Sequence, residues 1–462
     1  MPAIITKDFR IQNANQFSES FGESADTYYL AIGRPQAFAD NQAFNDGTDT
    51  SPPTPVDSVG SVDYYVYDDL LSAKKISSSN VSAVIPRRNW TTGTTYDYYR
   101  HDYGEINSAG TVIAANSGAT TLHDATFYVM NSTFDVYKVI DNNGDSASTV
   151  EPTGNKSTSV FSTGDSYKWK YMYSLSASEQ ANFLSTDFMH VSTESTDYST
   201  TAGAIENAKV TAGGSGGTNG TYTNVDIRGD GSSGKATVVV SSNAVTSVTI
   251  TTAGSGYTFA SVLASDIGGV SGADIDFIIS PPGGHASDAV AELGGFFVMM
   301  NVDFATSESG EFNTSNDFRR IALLRNPTDS TTGSTATAST LDATKSMTFS
   351  GTPGSFQADE KITQASTGAV GFVVDFNSTT KVLRYIQPQF TNQGVDSNGN
   401  LTAFSSTNTV TGATSSATGT PSSHDITPEL TADSGDILYI ENRKPISRAS
   451  DQTENVKLIV EF

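Results

Sequence analysis

A glycine-rich segment comes closest to a known chemical motif. Gly229, Gly231 and Gly234 precede Lys235, a spacing that fits G-x-G-x-x-G and nearly fits the phosphate-binding loop G-x-x-x-x-G-K-[ST]. Phosphate binding needs a helix directly after the loop. Residues 236–240 instead read Ala-Thr-Val-Val-Val, a strand pattern, and the first of them stands where Ser or Thr would bind magnesium. We therefore predict a tight β-turn and no nucleotide site.

Histidines are the next candidates for metal binding or general-base chemistry. No two of them have the i, i+4 spacing of a helical metal pair. His285 precedes a predicted short helix, and a loop histidine packed against a helix start is the simpler interpretation than a general base. The five histidines are His101, His123, His190, His285 and His424.

Carboxylates could bind calcium or form the catalytic pair of a glycosidase. The segment Asp141-Asn-Asn-Gly-Asp145 resembles the start of a calcium loop, but Pro152 occupies the twelfth position, which requires a bidentate Glu. Asp68 and Asp69 are adjacent, although the separation of a catalytic pair cannot be read from sequence. The chain has no cysteine. We predict no catalytic, cofactor-binding or metal-binding residues.

An aromatic cluster at residues 89–103 could form a sugar-binding platform. The same residue types are enriched in cores and at protein interfaces, and we favour a core or an interface. The cluster comprises Trp90, Tyr96, Tyr98, Tyr99 and Tyr103.

The elements that must position these residues are mostly strands. Segments rich in β-branched and aromatic residues are bounded by Gly, Asp, Asn or Ser, as in β-strands. Strands are predicted at 28–32, 62–67, 126–130, 167–173, 296–302, 319–324, 436–440 and 456–462, and a hairpin joins 369–376 to 381–386. Short helices are predicted from a capping box at Ser176 and Glu179, at 287–293 before Gly294, and near 15–21.

The strand patterns and composition shifts predict a mainly β fold in which a discontinuous body carries two inserted β-modules. The segment 210–222 is echoed by 250–257, a weak duplication with a spacing of about 40 residues, and each copy is predicted to be a turn followed by strands. Ser/Thr-rich flanks at 328–340 and 404–423 are predicted to be surface loops. The predicted division is 1–202 (body, first part), 203–282 (inserted module), 283–329 (body, central part), 330–425 (second inserted module with linkers) and 426–462 (body, C-terminal strands).

Charge excludes some classes of partner. The chain of 462 residues has 26 Lys plus Arg against 50 Asp plus Glu, a net charge of −24. Because such a surface repels phosphate backbones, we predict no nucleic-acid binding.

No apolar run approaches the roughly 20 residues that span a bilayer, and the start of the chain lacks a signal-peptide pattern. We predict that the protein does not insert into a membrane and that it is synthesised in a cytoplasm.

An ordered series of short segments resembles the baseplate wedge subunit, gene product eight, of T-even-type contractile-tailed phages, in the long form found in cyanophages. No single motif is decisive, and the specificity lies in their order and extent. They are Ile4–Arg10, Tyr29–Pro35, Pro52–Asp57, Pro86–Gly93, Tyr96–Asp97, Tyr99–Arg100, Tyr128–Asn131, Val136–Lys138, Glu151–Gly154, Tyr167–Tyr173, Gly284–His285, Ala291–Gly294, Met299–Val302, Gly435–Arg443, Pro445–Ile446 and Asp451–Glu454.

The resemblance implies that the body is a layered β-sandwich with a few short helices in loops. It also implies a non-enzymatic structural protein of the virion tail baseplate, without a cofactor and assembled in the host cytoplasm. It implies a homodimer that contacts other baseplate wedge proteins and helps to transmit the contraction signal. Two alternatives come from the sequence. The Ser/Thr/Gly-rich insertions also suit a receptor-binding or adhesion protein of the tail, and the carboxylates leave room for a glycan-cleaving tail enzyme.

Overall fold

The computed structural model describes residues 6–38, 47–55, 66–107, 110–192, 198–305, 312, 314, 316–388, 394–425, 427–449 and 451–462. Strands dominate these ranges, so the predicted mainly β fold is confirmed. The α-helices that they contain are α1 (Lys7–Ser20), α2 (Ala177–Phe183) and α3 (Ala289–Leu293). Within the described ranges, no helix combines the length and apolarity that crossing a membrane requires.

The strands of the first two thirds of the chain include all those of the first predicted module. In chain order they are β1 (Tyr28–Gly33), β2 (Leu70–Ile76), β3 (Val81–Pro86), β4 (Tyr128–Met130), β5 (Asp135–Asp141), β6 (Phe161–Ser162), β7 (Lys168–Ser174), β8 (Phe188–His190), β9 (Ile205–Ser215), β10 (Gly220–Asp226), β11 (Arg228–Gly229), β12 (Lys235–Ser241), β13 (Ala244–Thr252), β14 (Ala260–Ser261) and β15 (Ser271–Ile279).

The remaining strands follow α3. They are β16 (Phe297–Ala305), β17 (Asp317–Arg325), β18 (Thr328–Asp329), β19 (Ser334–Thr335), β20 (Thr340–Asp342), β21 (Lys345–Phe349), β22 (Lys361–Gln364), β23 (Ala369–Asn377), β24 (Val382–Ile386), β25 (Val410–Gly412), β26 (Thr418–Gly419), β27 (Pro421–Asp425), β28 (Asp436–Ser447) and β29 (Thr453–Glu461).

The chain folds into two compact units, each built from more than one stretch of sequence. The first unit combines Met1–Gln16, Ser82–Met299 and Ile459–Phe462, and the second combines Phe17–Val81 and Met300–Leu458. The five-segment division predicted from composition remains a prediction, but each predicted module has a hydrophobic core of its own.

The main core of the first unit is aromatic and lies against a four-stranded sheet of order β4-β5-β7-β6. Aromatic and β-branched residues fill β5 and β7, which pair antiparallel along most of their length. Trp169 is fully buried, and its ring stacks on that of Tyr167 with centroids 5.4 Å apart. Such rings bury large apolar areas, so this sheet provides the framework for the residues around it.

The first predicted module begins and ends in one antiparallel strand pair. Ile205 of β9 lies opposite Ile279 of β15, and Asn207 lies opposite Ile278. Between these strands, β10, β12 and β13 form a three-stranded sheet over a core that includes Val238. The segment 210–215 lies within β9, so the prediction of a turn there was wrong, since the ladder to β15 overrides the turn preference of its glycines.

The second unit contains a five-stranded sheet of order β20-β2-β1-β17-β28. The central strand β1 pairs on one side with β17 and on the other with β2, and all six of its residues are buried. Tyr29 and Ala31 belong to the core on one face. A central strand with both faces covered reads as a continuous apolar run, which is why it was predictable.

The second predicted module is a seven-stranded sheet of order β26-β25-β22-β23-β24-β21-β27. The predicted hairpin is confirmed, with Phe376 of β23 opposite Leu383 of β24. The Ser/Thr-rich flanks contain short strands rather than loops alone: β20 pairs with β2, and β25 pairs with β22. Their apolar positions are too sparse to have revealed this pairing.

Two other local predictions need correction or fall outside the described residues. The N-terminal helix begins at Lys7 rather than near residue 15. Its first part was missed because only Ile11 and Ala14 are buried along the helix, which leaves little apolar periodicity. Of the strand predicted at 62–67, positions 62–65 lie outside the described residues, and Tyr67 begins a 3₁₀ turn.

Candidate functional site

The aromatic cluster of residues 89–103 belongs to the core of the first unit. Tyr96, Tyr98 and Tyr99 are buried, and Trp90 and Tyr103 pack against the same core. The Tyr96 hydroxyl accepts a hydrogen bond from the Thr91 backbone N–H at 2.7 Å. Because these rings face other side chains, they do not form an open platform for stacking a sugar.

A buried charged centre lies beside this cluster and was not found from sequence. Lys138 of β5 and Lys170 of β7 are fully buried and directly opposite each other in the antiparallel pair. Like charges in this position repel. Lys138 Nζ donates a hydrogen bond to a carboxylate oxygen of Glu292 on α3, and Lys170 Nζ donates to the Ser157 carbonyl at 2.8 Å.

Glu292 also organises the loop that precedes its own helix. Its carboxylate accepts backbone N–H groups from Ala286 at 3.2 Å, Ser287 at 3.0 Å and Asp288 at 3.2 Å. The Asp288 side chain in turn caps α3 by accepting the Ala291 N–H at 2.9 Å. One buried carboxylate thus joins the loop to strand β5, an arrangement in which a charge is tolerated because it is hydrogen-bonded.

His285 is part of this centre. Its ring meets that of Tyr99 edge-on with centroids 4.8 Å apart, and its backbone N–H donates to Thr200 Oγ1 at 2.8 Å. Burial, together with the positive charges of Lys138 and Lys170, holds the pKa of His285 well below its usual range. The predicted packing of this loop histidine is therefore what the geometry shows, and the imidazole is neutral at pH 7.

Burial also lowers the pKa values of the two lysines. Burial lowers the pKa of Lys138, opposed by the charge of Glu292. Burial lowers the pKa of Lys170 to about 8, and the charge of Lys138 adds to the effect. Removing Glu292 would therefore leave two buried ammonium groups that repel each other.

A cleft of about 1060 Å³ opens within the first unit next to the centre. Arg10 lies in it, with its guanidinium 3.6 Å above the Phe296 ring and bonded to Glu461 at 2.5 Å. Burial and the nearby charge of Lys7 lower the pKa of His123 to about 4. Further residues of the lining are Asp8, Tyr99, His101, Tyr103, Asp124, Tyr257, Asp288 and Glu292.

The glycine-rich segment forms a turn packed against an aromatic ring. The Tyr257 hydroxyl accepts the Gly234 N–H at 3.1 Å and donates to the Ile227 carbonyl at 2.9 Å. A Cβ at Gly231 would lie 2.4 Å from the Tyr257 ring. Strand β12 follows directly at Lys235, as predicted, so the glycines serve close packing rather than a phosphate.

The paired carboxylates have structural partners. Asp69 is fully buried and accepts a hydrogen bond from Arg320 Nη1 at 2.9 Å. Asp141 ends β5, and its carboxylate accepts the Asn143 N–H at 3.1 Å in a turn with positive φ at Asn143. The described residues bring together no group of three or more His, Asp or Glu that could hold a metal ion.

The remaining histidines are dispersed. His190 Nδ1 lies 2.7 Å from Ser82 Oγ, and its Nε2 lies 3.1 Å from a carboxylate oxygen of Glu179. His424 lies in β27 opposite Met347. The tertiary structure brings His101 and His123 to the same cleft.

Comparison with known proteins finds a family model that matches part of the chain. Residues 3–147 match the family model described as Bacteriophage T4, Gp8. This part of the chain is therefore similar to the Gp8 family. The resemblance to gene product eight noted in the sequence is thereby confirmed.

A curated relative supports the same family. The chain is 27% identical over 218 residues to the baseplate wedge protein gp8 of Enterobacteria phage T4, an alignment that covers 41% of this chain and 60% of the relative. The chain therefore spans less than two thirds of that protein's length. The Gp8-family region includes α1, the aromatic cluster and Lys138, whereas Lys170, His285 and Glu292 lie beyond it.

Proposed function

We propose that this protein is a structural subunit of the baseplate wedge of a contractile phage tail. The observation that carries the proposal is the match of residues 3–147 to the Gp8 family, together with the similarity to a baseplate wedge protein. In this role the protein acts by assembling, is located in the virion and carries out no chemistry. Its buried aromatic and charged residues stabilise the subunit that other proteins contact.

The finer part of the proposal is a homodimer that contacts neighbouring wedge proteins and helps to transmit the contraction signal. A mainly β protein has strand edges that must be paired or covered, and a two-fold contact uses one surface of each copy. This supports self-association, and obligate contacts of this kind bury about 2,000 Å² or more in total.

The first test is the mass of the purified chain in solution. Size-exclusion chromatography with light scattering should give twice the 48.6 kDa of one chain at micromolar concentration and physiological salt. A trimer would contradict the wedge proposal and favour a fibre or spike, because such tail proteins are commonly built as trimers. Cryo-electron microscopy of the intact tail would then locate the subunit relative to the sheath and hub.

A second role, in adhesion, is proposed for the inserted segment 203–282 alone. Phe259 and Leu263 are 61% and 46% exposed. Both flank β14 in the sequence and lie outside the residues 3–147 that match the Gp8 family. Exposed apolar side chains grouped in this way mark contact sites. Alanine substitution of both should leave the dimer intact and lower phage adsorption to host cells; unchanged adsorption would contradict this role.

A further inference from the structure

The outer edge of the five-stranded sheet in the second unit is β28, a strand of 12 residues. Among the described strands, β17 pairs with one side of β28, and none pairs with the other side. The opposite edge of the sheet, β20, has only three residues. A long edge presents backbone N–H and C=O groups that another strand can pair with.

The first half of β28 exposes apolar side chains. Leu438 and Tyr439 are adjacent and 42% and 41% exposed. The ladder to β17 is irregular at two places, at Leu438 and in the stretch that contains Lys444 and Pro445 opposite Arg319. Proline cannot donate a ladder hydrogen bond, so Pro445 adds no donor to a further strand pair.

The charges of β28 are divided between its halves. Asp436 and Glu441 are acidic, whereas Arg443 and Lys444 are basic. When two identical strands pair antiparallel about a two-fold axis, the first half of each runs along the second half of the other. A second copy of β28 is therefore complementary in charge to the first, while a parallel arrangement would place like charges together.

We propose that β28 is the contact through which a second copy of this chain associates, by antiparallel pairing of the two strands across a two-fold axis. Leu438 and Tyr439 are covered in that contact, and the acidic half of each strand faces the basic half of the other. The inference deepens the proposed homodimer and rests on it.

Charge reversal tests the contact in a way that does not depend on stability. One variant is Glu441→Lys, and the other is the double variant Arg443→Glu/Lys444→Glu. Asp436 is left unchanged because it pairs with Arg325 at 2.6 Å within one copy. Within a copy, Arg443 Nε lies 3.6 Å from Glu441 Oε1, and an exposed pair of this kind contributes little to folding.

Each variant alone should dimerise on the order of tenfold more weakly than the wild-type chain, because like charges then face each other. An equimolar mixture should recover the dimer as a mixed pair, which native mass spectrometry distinguishes by mass. That recovery also demonstrates that both variants are folded. The matched control is Asp451→Lys, which makes the same charge change at an exposed site outside β28 and should dimerise like the wild type.

The outcomes separate this contact from the homodimer itself. If both variants dimerise as strongly as the wild type, the β28 contact is wrong while the homodimer stands. Weakened variants that fail to recover on mixing also contradict strand pairing at β28. A monomeric wild-type chain overturns the homodimer, and the edge would then be left for a different wedge protein.

Discussion

Glu292 determines whether two buried lysines can coexist in the first unit. Its carboxylate bonds Lys138 and accepts three backbone N–H groups of the preceding loop. A buried ion pair adds little net stability compared with apolar packing, but removal of one partner leaves an uncompensated charge. At the residue scale, this centre is therefore where single substitutions should have their largest effect.

Glu292→Gln should lower the free energy of unfolding of the first unit by about 3–5 kcal/mol, because Lys138 and Lys170 stay buried without a counter-charge. Trp90 and Trp169 both lie in this unit, so urea unfolding followed by tryptophan fluorescence reports on it. Asp226→Asn, which breaks an exposed ion pair with Lys235 in the same unit, is the control and should change little. An equally small effect of both substitutions would contradict the assigned role of Glu292.

Acidification should destabilise the same unit through His123. Its pKa in the folded protein is about 4, below the value of about 6.5 in unfolded chains, so the unfolded state binds the proton first. The resulting stability is present above pH 6.5 and is lost as the pH falls toward 4. From pH 7 to pH 5 the loss should be about 2 kcal/mol.

The measurement is the urea midpoint of the tryptophan signal at both pH values, compared between the wild type and His123→Gln. The neutral amide has no proton to take up in this range, so the variant should lose less stability on acidification. His285 and the carboxylates titrate in both proteins and cancel in the comparison. Equal pH dependence in both proteins would rule out the assigned titration of His123.

At the scale of elements, the first predicted module begins and ends in one strand pair. Asn207 and Ile278 lie opposite each other near the start of β9 and the end of β15. Asn207 Nδ2 donates to the Ile140 carbonyl at 3.1 Å, and Ile278 packs in the aromatic core. The module between them has a separate core, so its contribution to the aromatic core is confined to its base.

Replacement of Ala208–Phe277 by an Asn-Gly turn should leave the first unit folded. An Asn-Gly pair connects facing antiparallel residues in a two-residue hairpin, and the aromatic core keeps its own residues. The variant loses the ion pair between Arg100 and Asp276 at 2.9 Å, although Arg100 retains Asp102 at 2.7 Å. It should stay soluble and dimeric, with wild-type tryptophan fluorescence.

A control deletion of residues 128–141, which removes β4 and β5 from the main sheet, should not fold. If the Ala208–Phe277 deletion instead aggregates as the control does, the module belongs to the core and is not an insertion.

For the whole molecule, assembly must overcome a net charge of −24 on each copy. Such charges repel at long range, although salt near 0.15 M screens them beyond about 8 Å. Association therefore needs a surface with locally complementary charges and apolar groups to cover. The proposed dimer contact at β28 supplies both, with Glu441 and Arg443 in complementary halves and Leu438 beside Tyr439.

Local patterns in the sequence were sufficient for elements whose signals come from neighbouring residues. The buried run of β1, the hairpin β23–β24, and helix α2 with its cap at Ser176 were all predicted. In the hairpin and the helix cap the deciding interactions join residues a few positions apart. In β1 the signal is a continuous apolar run along one strand. The ordered family segments, confirmed for residues 3–147, are likewise a property of the sequence alone.

Only the tertiary structure decided which distant residues meet. Lys138 and Glu292 are 154 positions apart in the chain, and neither lies in a local pattern that reveals its partner. The short strands in the Ser/Thr-rich flanks form because β2 and β22 offer them ladder partners, against their weak intrinsic preference. The open edge of β28 likewise depends on the order of strands in a sheet. The sequence by itself therefore determined a mainly β protein with segments similar to the Gp8 family, whereas long-range packing decided its buried charged centre and the place of β28 at the end of its sheet among the described strands.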